Sequence, residues 1–261
     1  MNKLNFILIT IITSVITLSA QATVFRICEP RDSIYNTKTK FSQDGVWSRE
    51  RSAVHKRIVD QVLAESGAKP DAHPQIIYTS GAPGAGKSTT LNQLHRDGVL
   101  LQNNYVRIDP DALKKRLPEY DLFKDVAPEK VDRLLHSEAK VLRELLLKTA
   151  FDGSYNIILE GTFAKKEEDI TKVKNRKDRY PQYRVMIVHT DASEANLNAR
   201  VENRRQETGR VVPQEAILWP KQASIDTVQL AIEGKVVDEV IFLNNDDPNK
   251  LRISITVVNS N

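Results

Sequence analysis

A strand, a glycine-rich loop and the start of a helix follow one another directly between residues 75 and 90. The strand is apolar and rich in β-branched residues, and residues 81–88 have the sequence Gly-Ala-Pro-Gly-Ala-Gly-Lys-Ser. Glycines let backbone N–H groups turn toward phosphate oxygens, and the positive end of a helix, expected here to start at Thr89, attracts the same anion. The segment therefore predicts a loop that binds nucleotide phosphates.

The last two residues of this loop predict further nucleotide contacts. The Lys87 ammonium is expected to neutralise β- and γ-phosphate oxygens, and the Ser88 hydroxyl is expected to bind Mg²⁺. The predicted cofactors are therefore ATP and Mg²⁺. The residues predicted to bind the nucleotide are Gly81, Ala82, Pro83, Gly84, Ala85, Gly86, Lys87, Ser88 and Thr89.

The length and composition suit one globular domain with short extensions. The chain has 261 residues, of which 40% are hydrophobic and 28% are charged, which allows a sizeable core. The formal net charge of +4 is mild and does not require a nucleic-acid partner, and none is expected. Cys28 is the single cysteine, which excludes an intramolecular disulfide.

The first 22 residues have the pattern of a secretory signal peptide. Lys3 precedes an apolar run over residues 4–18, and Ala20-Gln21-Ala22 forms a small-residue cleavage site. Export to the periplasm or the exterior is therefore expected. The alternative is an uncleaved membrane anchor over residues 4–20, because the run is close to the shortest length that spans a bilayer.

Alternating strands and helices predict an α/β fold with a mostly parallel sheet and helices on both faces. Residues 23–45 lack a sustained period and are expected to be a linker or wrapping segment, and residues 46–261 are the predicted domain. Ser48 is expected to cap a helix that ends near Gly67. Other strands are predicted over residues 105–108, 156–159, 183–189, 236–243 and 251–258, and other helices over 128–150, after a capping Asp191, and over 214–233.

Acidic residues, in one case with a threonine, follow two predicted strands at their carboxyl ends, where open parallel sheets bind ligands. Asp109 and Asp111 follow one strand, and Glu160 and Thr162 follow another. Asp109 suits a helix cap because Pro110 suits the first helical position. Spacing alone does not decide whether Asp111 is an ordinary helix residue or a functional carboxylate. Two such acids beside a phosphate loop indicate a site for Mg²⁺ and an acceptor.

Glu138 lies within the apolar stripe of the helix predicted over residues 128–150. A carboxylate in that position must reach a polar cavity or lose favourable hydration. Glu138 is therefore either a ligand contact or a glutamate that is capped or solvated at the edge of the stripe. The stripe is predicted from Val131, Leu134, Leu135, Val141, Leu142, Leu145 and Leu146.

Arginines gather around the glycine break at Gly209. Arg200, Arg204 and Arg205 precede this break, and Arg210 follows it. Guanidinium groups stabilise charge on a phosphoryl group during its transfer, so the segment is a candidate lid. The alternative is a solvated helix face.

Taken in chain order, these motifs resemble those of the zeta toxin family. The matching segments are the phosphate loop, residues 108–111 (Ile-Asp-Pro-Asp), residues 117–120 (Leu-Pro-Glu-Tyr), Glu138, residues 159–162 (Leu-Glu-Gly-Thr) and residues 209–213 (Gly-Arg-Val-Val-Pro). Members of that family are P-loop kinases that phosphorylate UDP-N-acetylglucosamine on the sugar and so block peptidoglycan synthesis. The resemblance covers residues 46–243 and implies a P-loop NTPase fold like that of nucleoside monophosphate kinases.

The resemblance also implies how a small acceptor is held. Asp111 is the implied base that takes the proton of the acceptor hydroxyl, and Glu138, Glu160 and Thr162 are implied contacts of a sugar nucleotide. The chain departs from the family pattern at Ala164, where an arginine is frequent, so the acceptor stays open. An antitoxin protein is an implied partner.

For the lid, the resemblance implies Arg210 together with Arg200 or Arg204, and Arg204 is the residue predicted to contact the nucleotide. Lys87, Asp111 and Arg210 are the expected catalytic residues. The expected function is transfer of the γ-phosphoryl group of ATP to a hydroxyl of a small acceptor. The alternatives are a nucleoside or antibiotic kinase and a nucleotide-binding interaction protein without turnover.

Overall fold

A six-stranded sheet, parallel except for one edge strand, forms the centre of the described part of the chain. The structure is a computed structural model and describes residues 36–100, 104–208, 214–247 and 252–258. Its helices are α1 (Thr37–Phe41), α2 (Arg49–Ser66), α3 (Lys87–Arg96), α4 (Pro110–Lys114), α5 (Tyr120–Val126), α6 (Val131–Asp152), α7 (Lys166–Arg179), α8 (Glu194–Thr208) and α9 (Glu215–Glu233). Its strands are β1 (Ser42–Gln43), β2 (Val46–Trp47), β3 (Gln75–Ser80), β4 (Val106–Ile108), β5 (Ile157–Leu159), β6 (Arg184–Asp191), β7 (Glu239–Asn244) and β8 (Arg252–Val257).

The sheet confirms the predicted α/β class. Its strand order is β4-β5-β3-β6-β7-β8, with β3 parallel to both β5 and β6, and β8 antiparallel to β7 at the edge. Successive residues of a strand point to opposite faces, yet Ile76 and Ile77 of β3 are both buried. Helices therefore cover both faces of the central strand, and the carboxyl end of β3 lies between the ends of its two neighbours.

Two hydrophobic clusters place the helices on the two faces. One cluster joins Ile76 to buried residues of α2 and α6, such as Ile58 and Leu142. The other joins Ile77 to Leu91 and Leu94, which belong to α3. Because α3 packs on the sheet directly behind β3, its first turn lies at the carboxyl edge where the preceding loop turns.

The chain before α2 folds onto the domain. Thr37 of α1 donates a hydrogen bond from Oγ1 to the carbonyl oxygen of Leu134 in α6, at 3.5 Å. Residues 36–45, which were expected to be a linker or wrapping segment, thus contain α1 and β1. The predicted signal segment lies outside the described residues. Among the helices that are described, none has the length and apolar character needed to cross a bilayer.

Several predicted elements need correction. Leu145, assigned to the apolar stripe of α6, is exposed, and Leu147 is buried instead. The buried face of the helix contains Leu142, Leu146 and Leu147. Asp191 is not a helix cap: it ends β6, and its carboxylate accepts a hydrogen bond from Lys221 at 2.6 Å. Helix α7 was not predicted, since its single buried residue, Val173, leaves almost no periodic signal.

Candidate active site

The glycine loop joins β3 to α3 in the predicted way. Gly81, Gly84 and Gly86 have positive φ angles of 125°, 83° and 88°, a region that side chains disfavour. A Cβ atom at Gly81 would overlap the carbonyl oxygen of Thr190 on β6, and one at Gly86 would overlap the side-chain nitrogen of Asn245. Backbone conformation and the close approach of neighbouring segments thus both require glycine, and they fix the loop in a tight turn.

Lys87 lies over this loop. It is the first residue of α3, two positions before the predicted helix start. Its ammonium nitrogen Nζ donates hydrogen bonds to the carbonyl oxygens of Gly81 and Ala82, both at 2.9 Å. Desolvation lowers the pKa of Lys87 to about 8, with Glu160 opposing the shift and Arg204 adding to it. The cation is thus held where a bound phosphate group would need it.

Ser88 and Glu160 meet beside Lys87, although they are distant in the sequence. The Ser88 hydroxyl donates a hydrogen bond to Oε2 of Glu160 at 3.3 Å. Glu160 follows β5, the neighbour of β3, so the parallel register brings its carboxylate to the start of α3. A hydroxyl and a carboxylate are oxygen ligands of the kind that Mg²⁺ prefers, so this pair fits the predicted metal ion.

Arg107 is a site residue that sequence reasoning missed. Its Nε donates a hydrogen bond to Oε1 of Glu160, whereas Ser88 donates to Oε2. Arg107 is exposed between the buried residues Val106 and Ile108 of β4. A charged residue between two apolar residues of a strand that ends in a predicted site was the available signal.

The two acids after β4 have different surroundings. Asp109 is the predicted cap of α4, with Pro110 at the first position of the helix. Burial raises the pKa of Asp109. The carboxylate of Asp111 accepts a hydrogen bond from Nζ of Lys114 at 3.0 Å, and its side chain is 34% exposed. Cap formation by Asp109 is confirmed, and the role of Asp111 as a base stays a prediction.

Glu138 lies in a buried ionic cluster. Its side chain is 0% exposed, which rules out the alternative of a solvated edge position. Arg51 donates from Nε to Oε1 at 2.6 Å and from Nη2 to Oε2 at 2.9 Å, and His55 contacts Oε1 at 2.5 Å. Burial alone would raise the pKa of Glu138, but hydrogen bonds from His55, Arg51 and Thr37 outweigh it and lower the pKa to about 2.

The cluster continues from Arg51 to the segment after α4. Arg51 also donates from Nη1 and Nη2 to the two carboxylate oxygens of Glu119, at 2.9 Å and 2.7 Å. One guanidinium of α2 therefore joins α6 to the residue that precedes α5. Protein groups contact both carboxylate oxygens of Glu138. The predicted contact between Glu138 and an acceptor stays a prediction.

Thr162 and its neighbours are fixed to the glycine loop. The carbonyl oxygen of Thr162 accepts a hydrogen bond from the backbone N–H of Gly81 at 3.0 Å. Thr79 also exchanges hydrogen bonds with the backbone of Gly161, at 2.9 Å and 3.0 Å. Thr162 is half-buried beside the loop, whereas Ala164, at the position where the chain departs from the family pattern, is buried.

Arg200 contacts the loop from α8. Its Nη1 donates to the carbonyl oxygens of Gly84 at 3.4 Å and Ala85 at 3.3 Å, and its Nη2 donates to that of Asn245 at 2.7 Å. The side chain of Asn245 in turn donates to the carbonyl oxygen of Ala85 at 2.8 Å. For Arg200, the alternative of a solvated helix face is therefore wrong.

The other predicted lid arginines have different environments. Arg204 is exposed, and its positive charge adds to the lowering of the Lys87 pKa. Arg205 pairs with Glu202 on the surface of α8, so the alternative of a solvated helix face is correct for this residue. Arg210 and the rest of residues 209–213 lie outside the described residues.

The strand order, with a glycine loop at the end of a central strand and a lysine folded over it, defines the fold of a P-loop kinase. The sequence profile of the zeta toxin family matches residues 59–252. This chain belongs to the zeta toxin family.

Solved structures similar to this chain include one from a toxin-antitoxin system and one from a complex with ATP. A chain of the PezAT chromosomal toxin-antitoxin system of Streptococcus pneumoniae has a TM-score of 0.62 and 18% identity, covering 76% of this chain and 78% of that one. A chain of the AvrRxo1-ORF1:-ORF2 complex with ATP has a TM-score of 0.58 and 14% identity, covering 85% of this chain and 78% of that one. These similarities support the fold. Comparison with curated proteins gave no significant match.

Proposed function

We propose that this chain is a phosphotransferase that transfers the γ-phosphoryl group of ATP to a hydroxyl of a small acceptor. The observation that carries the proposal is the position of Lys87, whose ammonium group contacts two carbonyl oxygens of the glycine loop. Ser88 and Glu160 lie beside it at the same edge of the sheet. A positive group over a glycine loop, next to oxygen ligands for Mg²⁺, is the arrangement that phosphoryl transfer requires.

In this proposal each residue has a defined task. ATP supplies the phosphoryl group, and Mg²⁺ reduces the negative charge on its phosphates. Lys87 and the loop N–H groups bind the phosphates, while Ser88 and Glu160 hold the metal ion. Asp111 accepts the proton of the acceptor hydroxyl as its oxygen bonds to the γ-phosphorus atom. The bond from that phosphorus to the β,γ-bridging oxygen breaks, and ADP leaves.

UDP-N-acetylglucosamine is the first acceptor that we propose, because the chain belongs to the zeta toxin family. Ala164 adds no positive charge to the acceptor site, so the affinity for a diphosphate must come from other groups. A nucleoside or an antibiotic with a free hydroxyl is the second candidate class. Both classes use the same loop and Asp111.

The experiment is a transfer assay with γ-phosphate-labelled ATP, Mg²⁺ and separate acceptors: UDP-N-acetylglucosamine, nucleosides and hydroxyl-bearing antibiotics. We expect label on one acceptor with the wild-type protein and on none with Lys87→Ala. Arg205→Ala is the matched control, since this cation pairs with Glu202 and does not contact the loop. ATP binding without label on any acceptor and without acceptor-stimulated ADP release would instead favour an interaction protein without turnover.

We also propose an antitoxin protein as partner and export by residues 1–22. The support for the partner is that one similar structure comes from a toxin-antitoxin system. Purification of the native complex followed by mass spectrometry tests it: a stoichiometric partner that blocks ATP binding is expected. A native protein that purifies alone and fully active would contradict the partner.

A further inference from the structure

A cavity of about 620 Å³ opens beside the edge strand β4, away from the glycine loop. Its walls are the carboxyl-terminal parts of α2 and α3, and Tyr105 and Ile158 form part of its floor. Arg96, Arg107 and Arg116 line it from three separate segments. The volume lies in the range of sites that bind small molecules, about 300–1,000 Å³.

The charge around this cavity is positive. Its lining contains three arginines and one acidic residue, Glu65, and Glu160, outside the lining, pairs with Arg107. Arg116 donates to both oxygens of Glu65, at 3.1 Å and 2.5 Å, and this pair is screened by solvent because the Glu65 side chain is 59% exposed. Arg96 donates to the neutral side chain of Gln93, which leaves its charge uncompensated by that contact.

The floor is aromatic and apolar. The rings of His95 and Tyr105 lie edge to face with their centroids 5.6 Å apart. Val62 and Ile158 add aliphatic surface to the same cavity. Guanidinium groups bind phosphate oxygens through paired hydrogen bonds, and a flat apolar group suits this floor. The lining therefore matches a small phosphate ester with an aromatic or other apolar part.

We propose that this cavity is a second binding site, separate from the glycine loop, for a phosphorylated small molecule. Binding at the cavity does not depend on the proposed transfer reaction. Arg107 connects the two sites, because it lines the cavity and also donates a hydrogen bond to Glu160. The other oxygen of Glu160 accepts a hydrogen bond from Ser88.

This connection gives the site a regulatory consequence that rests on the proposed function. A phosphate group in the cavity attracts the Arg107 guanidinium, and the attraction between Arg107 and Glu160 is then weaker. The carboxylate becomes a stronger ligand for Mg²⁺ beside Ser88. Occupancy of the cavity is therefore expected to raise the affinity of the active site for Mg²⁺.

Titration of the full chain with phenyl phosphate, followed by calorimetry, tests the cavity. We expect saturable binding, with the dissociation constant raised about tenfold by Arg96→Gln and by Arg116→Gln. Phenol, which lacks the phosphate group, should bind much more weakly. Lys87→Ala, which alters the glycine loop, and Arg205→Gln, which alters a surface arginine, should bind phenyl phosphate like the wild type.

The proposal fails if the wild type shows no saturable binding, or if Arg96→Gln and Arg116→Gln bind phenyl phosphate as tightly as the wild type. It also fails if Lys87→Ala removes binding, because the probe would then occupy the glycine loop. Circular dichroism of each variant checks its folding.

A second measurement tests the coupling to the active site. Phenyl phosphate should lower the Mg²⁺ concentration needed for half-maximal binding of a fluorescent ATP analogue, and Arg96→Gln should need about tenfold more phenyl phosphate for the same effect while its basal phosphoryl transfer is unchanged. Binding of phenyl phosphate with an unchanged Mg²⁺ requirement would overturn the regulatory role. If the ATP analogue does not bind at all, the proposed function fails. The calorimetric titration still shows whether the cavity binds phenyl phosphate.

Discussion

The carboxylate of Asp109 accepts a hydrogen bond from the backbone N–H of Asp111 at 2.9 Å. This bond satisfies one of the N–H groups that have no partner within the helix at the start of α4, and it holds the turn from which Asp111 projects. The two acids of this short segment therefore have different environments. Asp109 shapes the backbone at the start of the helix, whereas the side chain of Asp111 accepts a hydrogen bond from Lys114 and is 34% exposed at the carboxyl edge of the sheet.

Asp111→Asn should slow phosphoryl transfer by about 10² to 10⁴ fold, because the acceptor hydroxyl loses its base. ATP affinity and the melting temperature should stay close to those of the wild type. Asp109→Asn is the matched control, since asparagine also caps helices well. Single-turnover kinetics and thermal melting of both variants check this. The assignment is wrong if Asp109→Asn stops transfer and Asp111→Asn does not.

ATP affinity should fall as the pH rises through about 8, where desolvation makes Lys87 lose its proton well below the pH at which an ordinary lysine does. The loss should not exceed about tenfold per pH unit, since one proton is involved. Calorimetric titration with a non-hydrolysable ATP analogue at a series of pH values measures it. Lys87→Arg keeps its charge over this range, and a fall of equal size in that variant would assign the effect to another group.

Arg200→Met should weaken ATP binding by about tenfold, because the loop loses hydrogen bonds at the carbonyl groups of Gly84 and Ala85. Arg205→Met is the control on the same helix, since Arg205 pairs with Glu202. Equilibrium binding of a fluorescent ATP analogue compares the two variants. Equal affinities would show that Arg200 does not support the loop.

Glu138→Gln should lower the free energy of unfolding by about 3–5 kcal/mol at neutral pH, because Arg51 loses a buried anionic partner. The pKa of Glu138 is lowered in the fold from 4.5 to about 2, so its contribution is complete above the first value and disappears as the pH falls toward the second. The difference between wild type and variant should shrink over that interval in urea unfolding experiments.

Glu144→Gln is the control for this effect, because Glu144 is 51% exposed on the same helix and its ion pairs with Arg143 and Arg176 are each worth about 1 kcal/mol or less. A difference between wild type and Glu138→Gln that does not depend on pH would mean that packing, and not charge, accounts for the loss.

The native protein should begin at Thr23 if Ala20-Gln21-Ala22 is the cleavage site. Intact-mass measurement of protein purified from its own cells determines the first residue, and cell fractionation determines the compartment. Protein that retains Met1 in the membrane fraction would support the anchor over residues 4–20. Full-length protein in the soluble cytoplasm would contradict both.

Local sequence was enough to predict the centre of this fold. The loop requires glycine at positions of positive φ, and the strand before it is buried from Ile76 to Ser80 because both its faces are covered. The cap at Asp109 depends on the next two residues, and the cap at Ser48 accepts a hydrogen bond from the N–H of Arg51, only three positions away. Such features depend on residues that are adjacent in the sequence.

Contacts between distant segments could not be predicted in this way. Arg51 and Glu138 are 87 positions apart, and a helical period shows only that both lie on inward faces. The stripe of α6 was misjudged at Leu145 for a related reason, since leucines lie on either side of the true face and packing alone decides which of them is exposed. Arg107 belongs to the site through its hydrogen bond to Glu160, which follows β5, and not through residues of its own strand.

The family match begins at residue 59, but the side chains that hold Glu138 come from Arg51 and His55, before that point. The ring of Phe41 lies 4.2 Å from the Arg51 guanidinium, and Trp47 packs edge to face against His55. A recombinant fragment cut to the boundaries of the match would bury the Glu138 carboxylate without the Arg51 and His55 side chains that contact it. The shortest fragment worth expressing therefore starts near Asn36, well ahead of the residues by which the family is recognised.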